Sequence, residues 1–106
     1  MGKKPRLRQE RLHEKLAHIR NALGLSQSEL LRRLELEEVI DYKRISEYEL
    51  GNNEPPLLVL LRYARVAGVH MEALVDDELE LPDKLPGPVK YGVITRGYAS
   101  RSRRKK

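Results

Sequence analysis

Cysteine, phenylalanine and tryptophan are absent from this chain of 106 residues. Without cysteine there is no disulfide framework and no thiolate zinc site, which agrees with a reducing compartment. Without Phe or Trp, the core falls to aliphatic side chains and a few of the five tyrosines, which suits a small all-helical domain. Long apolar runs are missing as well. The longest, Leu57 to Leu61, falls far short of the roughly 20 residues that cross a bilayer. The basic N-terminus is not followed by the apolar stretch of a secretory signal, so a soluble, cytoplasmic protein is expected.

Catalytic signatures are also lacking. There is no phosphate-binding glycine loop and no nucleophile placed beside a base. His13 and His18, five residues apart, fall on different faces of a helix, which excludes a shared metal. Asp76, Asp77, Glu78 and Glu80 lack the ligand spacing and turn glycine of a calcium loop and read as a solvated edge. Neither an enzyme, a metal site nor a cofactor is expected.

Charge is present in quantity but unevenly placed. The net charge is +5. Residues 1–11 hold five basic side chains and one acidic, and residues 90–106 hold seven basic and no acidic ones. Residues 12–89 carry nine basic against fifteen acidic side chains. A basic protein suggests a nucleic-acid partner, yet here the excess positive charge lies in the two ends.

Apolar periodicity divides the chain into about five helices. Leu12, Leu16, Ile19 and Leu23 form one stripe of a first helix that could start as early as Pro5, and Gly24 ends it. Ser26 stands three residues before Glu29, a capping box that starts a second helix at Gln27 and points Leu30, Leu31 and Leu34 inward. Asp41 is the expected cap of a third helix, with Ile45 and Tyr48 inward and Gly51 as its stop. Pro55-Pro56 opens a fourth helix expected to bury Leu57, Leu60, Leu61, Ala64 and Ala67, and Gly68 closes it. A short fifth helix offers Met71, Leu74 and Val75. The prolines of 81–88 exclude a helix and leave an extended linker or a strap over the domain, and 89–95 could form a short strand.

Two segments carry the most information: Gly24-Leu25-Ser26-Gln27-Ser28-Glu29-Leu30, and Ile45-Ser46-Glu47-Tyr48-Glu49-Leu50-Gly51-Asn52-Asn53-Glu54-Pro55. From Leu12 to about Val75 the chain resembles the phage repressor and Cro type of helix-turn-helix domain, the xenobiotic-response-element family. The resemblance implies a compact, all-α, five-helix fold in which helix 3, about residues 41–51, enters the DNA major groove. It divides the chain into a basic arm (1–11), the helix-turn-helix domain (12–76), an acidic and proline-rich linker (77–89) and a basic tail (90–106).

The same resemblance implies roles. Tyr42, Lys43 and Glu47 fall where relatives place base-contacting side chains, with Lys43 suited to guanine and Glu47 to the amino group of cytosine. Arg44, Ser46, Asn52 and Asn53 join them as expected DNA contacts, and Gln27 falls where the family touches a phosphate. Arg20 and Glu49 match a pair that ties helix 1 to helix 3 and lends the arginine to the DNA backbone. His70 sits at a helix cap of the family.

The chain departs from the pattern between Leu34 and Ile45, where ten residues, about four more than usual, make the connection. They either lengthen helix 2 or form a packed loop. The expected function is that of a sequence-specific regulator, a repressor, that binds double-stranded DNA as a homodimer, with helix 5 and the segment after it as the self-association surface. Two alternatives stand beside it: an antitoxin or adaptor whose tail binds a protein partner, and an RNA or ribonucleoprotein component that uses its basic ends.

Overall fold

The computed structural model describes residues 9–88, which form five helices and, among the described residues, no strand. They are α1 (Leu12–Ala22), α2 (Gln27–Arg33), α3 (Tyr42–Leu50), α4 (Leu57–Ala67) and α5 (Met71–Val75). Helices α1 and α2 both pack against α3, and α5 packs against α4 and α1. The fold is all-α, as the periodicity predicts. The expected strand over 89–95 lies outside the described residues.

One contiguous core fills the space between the helices, with Leu16, Ile19, Leu30, Leu34, Ile45, Tyr63 and Leu74 wholly buried. Each such Leu or Ile side chain contributes about 1.5–3 kcal/mol by leaving water. Helix ends are closed by one recurring device. After α1, α3 and α4 a glycine takes positive φ, and backbone bonds run back to carbonyls of the last turn. Helix α2 uses the same motif without a glycine: Glu35 has φ of 61°, the Glu35 N–H donates to Arg32 O (2.9 Å) and the Leu36 N–H donates to Leu31 O (3.1 Å). Leu31 and Leu36 are both buried, the apolar pairing that accompanies this closure.

That closure settles the long connection. Helix α2 is not lengthened; the added residues form a packed loop, with Leu36 buried, Ile40 half-buried and Val39 exposed. Two other expectations change. Residues 9–11 are not helical, so α1 begins at Leu12. On α4 the buried face is Val59, Leu60, Tyr63, Ala64, Val66 and Ala67, whereas Leu57 and Leu58 are each 71% exposed and Leu61 is half-buried. A continuous apolar run carries no helical phase of its own, and the phase is set downstream by Tyr63 and the small residues around it.

Contacts distant in sequence close the domain. The Asp77 carboxylate accepts from the backbone N–H of Glu10 (2.9 Å) and of Arg11 (3.1 Å), capping α1 from beyond α5. Arg11 donates to the Asp77 carbonyl (2.7 Å) and pairs with Glu80 (2.9 Å). Lys15, only 4% exposed, donates through Nζ to the carbonyls of Ala73 (2.7 Å) and Asp76 (2.9 Å) at the end of α5. Burial, and then the neighbouring Arg11, lower the pKa of this ammonium.

Of the two readings for 81–88, the strap is the one observed. Leu81 and Leu85 pack on the core, and the Gly87 N–H donates to Ala67 O (3.0 Å). The strap lies so close that a Cβ on Gly68 would collide with the Gly87 carbonyl oxygen, and Gly68 also needs its φ of 77° to end α4.

Candidate nucleic-acid interface

Helix α2 begins with both bonds of a capping box. Glu29 N–H donates to Ser26 Oγ (3.0 Å) and Ser26 N–H donates to Glu29 Oε1 (2.8 Å). The bonds from Ser26 hold the Glu29 carboxyl below the usual carboxylate range. Gln27 is thereby fixed as the first helical residue, half-exposed at the positive end of the helix. This is the position in which a side-chain amide and free backbone N–H groups can face a phosphate.

Helix α3 is capped by Asp41, whose carboxylate accepts from the Lys43 N–H (3.2 Å). Ile45 and Tyr48 are buried and hold its inner face, and burial raises the Tyr48 pKa. Tyr42, 47% exposed, and the exposed Lys43 and Arg44 stand on the outer face of its first turn, followed by the half-buried Ser46 and Glu47. Glu47 is already engaged. Its Oε1 accepts from Asn53 Nδ2 (2.6 Å) and lies 3.7 Å from Arg44 Nε. The Asn52 N–H also donates to Glu47 O (3.0 Å), which folds the residues after α3 back over its last turn. Arg44, Glu47 and Asn53 therefore form one group, joined by an ion pair and a hydrogen bond. Asn52 is exposed beside it.

Arg20 on α1 meets Glu49 on α3 in a two-pronged pair, Nε to Oε2 at 2.7 Å and Nη2 to Oε1 at 3.0 Å. Its Nη1 donates to Leu25 O (2.9 Å) in the turn before α2. One guanidinium thus ties together α1, the turn and the recognition candidate α3. The bond to Glu49 raises the Arg20 pKa against the opposing effect of burial.

The added loop brings Glu37, Glu38, Val39 and Asp41 against Leu31 and Tyr42 around an open groove of about 440 Å³. Acidic side chains thus flank the first turn of α3. Sequence reasoning missed Lys15, Asp77 and Arg62, which bind backbone carbonyls or amides far along the chain and leave no local pattern. Among the described residues no group of three or more His, Asp or Glu side chains is placed to hold a metal, and no helix is long and apolar enough to cross a membrane.

Comparison with known proteins agrees with this geometry. A family profile described as helix-turn-helix matches residues 16–74, from the middle of α1 to the end of α5. No curated protein and no solved structure matches the chain. With more than half of its length matched and its five helices packed as described, the chain belongs to the Cro/C1-type helix-turn-helix family of DNA-binding transcription regulators.

Proposed function

We propose that the protein is a sequence-specific repressor that sets α3 into the major groove of double-stranded DNA as one half of a homodimer and occludes a promoter. The supporting observation is the first turn of α3, where Tyr42 and Lys43 stand exposed while Ile45, Tyr48 and the Arg20–Glu49 pair hold the helix from behind. A rigid helix with a polar outer face is what direct readout of base edges requires. Lys43 reads guanine O6 or N7, Tyr42 and Ser46 flank it, and Gln27 contacts a phosphate.

Two roles are refined by the geometry. Because the Glu47 carboxylate already accepts from Asn53 and faces Arg44, its part is to aim those two side chains at the DNA while it keeps free lone pairs for a cytosine amino group. Arg20, with three of its five N–H groups committed, has two left for the phosphate backbone.

One recognition helix spans only a few base pairs, so a two-fold site is needed. Helix α5 packs on α1 and α4, but only its Leu74 is buried and Leu79 after it is exposed, so helix 5 and the segment after it remain one candidate for the self-association surface. Leu57 and Leu58 form a second candidate, an exposed apolar pair that favours self-association. Leu57→Glu with Leu58→Glu is expected to turn the dimer into a monomer in sedimentation. An unchanged dimer would move the interface elsewhere.

The acidic excess of 12–89 leaves nonspecific affinity to the basic ends. Deleting 97–106 removes five basic side chains and should lower the slope of log affinity against log salt by roughly 2–4 units, with base preference retained. Loss of all base preference would instead favour a reading in which the tail is the reader.

A further inference from the structure

Three of the nine cationic side chains of 12–89 converge on one cleft between α2 and α4. Arg33 comes from the last turn of α2, and Arg62 and Arg65 come from α4. Among the described residues none of the three has a carboxylate within 4 Å, although the surrounding domain is rich in acid. Three like charges offset in the cleft only by Glu35 leave it net positive and favour binding of an anion. Leu34 is wholly buried and Val66 nearly so, which leaves the exposed Pro88 as the main accessible apolar part of this open cleft of about 390 Å³. Arg33 and Arg65 are exposed and present planar forks suited to an oxyanion.

Arg62 links this cleft to the recognition helix. Its Nη1 donates to Leu34 O (2.6 Å) and lies 3.4 Å from Glu35 O, the carbonyls that end α2 and begin the connection to α3. Nε and Nη2 of Arg62 make no bond among the described residues, so an anion can share this guanidinium with the two carbonyls and pull on the hold that Nη1 has there. We propose that the cleft binds an anionic small-molecule effector through its oxyanion headgroup, and that occupancy changes DNA affinity by altering the hold of Arg62 on the start of the α2–α3 connection. The second half of this statement rests on the DNA-binding reading, and the first does not. Glu35 lines the same cleft, and its carboxylate opposes the ligand.

The test uses the full chain at constant ionic strength, with amide chemical shifts followed during addition of hexyl phosphate and, separately, hexanoate. Saturable shifts are expected at residues 33–36 and 62–66 with at least one probe, and the probe that binds more tightly identifies a phosphate or a carboxylate headgroup. R33A/R65A removes only exposed side chains and should bind about tenfold more weakly or worse. E35Q should bind more tightly. Equal titration of wild type and R33A/R65A, or shifts confined to residues 1–8 and 90–106, would overturn the site. In a parallel titration with DNA, the probe should change affinity in the wild type but not in R33A/R65A. Binding at the cleft with unchanged DNA affinity would overturn the coupling through Arg62.

Discussion

Arg20 and Glu49, 29 residues apart, bond through both prongs of the guanidinium while their side chains retain 19% and 8% of their exposure. A pair so nearly enclosed is costly to break from one side, because the remaining charge loses its partner and keeps its desolvation. Arg20→Ala and Glu49→Ala are each expected to lower stability by about 2–4 kcal/mol. The double variant should lose less than the two together, by about 1–3 kcal/mol. Denaturant unfolding of the four proteins measures this, and strict additivity would show that the pair is not coupled.

Much of this architecture was legible in local sequence. The Ser26/Glu29 box, the Asp41 cap and the glycines after α1, α3 and α4 are short-range devices whose chemistry requires particular residues at particular offsets. What escaped notice was non-local or atypical. Glu35 closes α2 in a conformation for which glycine is the usual marker, so nothing announced the end of that helix. The bonds of Lys15 and Asp77 span 58 to 67 residues and obey no periodicity. Of the interface, the elements could be placed, but the engagement of Glu47 by Asn53 depends on how the chain folds back after Gly51.

The left-handed backbone of Glu35 gives a second prediction. An L side chain there carries a conformational cost that glycine avoids. Glu35→Gly should raise stability by up to about 1 kcal/mol, while Glu35→Val should lower it. Thermal unfolding of both variants checks the sign.

Tyr63 is wholly buried, and its hydroxyl has no hydrogen-bond partner among the described residues. Burial, and then the nearby Glu49, push its pKa upward. Tyr63→Phe removes the unpaired hydroxyl and keeps the ring, so stability should hold or rise by about 1 kcal/mol. A loss of that size would reveal a hydrogen bond to this oxygen.

A pH dependence follows from the clasp on α1. The bond from the Glu10 N–H holds the Asp77 carboxyl below its usual range, and Arg11 does the same for Glu80. Since both folded-state values are depressed, the stabilisation is complete above the ordinary carboxylate range and is lost as pH falls through the lowered values. Hydrogen exchange at the amides of Glu10 and Arg11, corrected for intrinsic rates, should therefore speed up in acid. Asp77→Asn should speed it at neutral pH and flatten that dependence.

The most direct measurement takes the duplex that the full chain enriches from random DNA and titrates it, alongside a scrambled duplex, with wild type and Lys43→Ala. The exposed Lys43 on the first turn of α3 is expected to account for about 1–3 kcal/mol on the selected site, with relaxed preference at one base pair and little change on the scrambled one. Failure to enrich any sequence, or equal losses on both duplexes, would contradict base readout by α3.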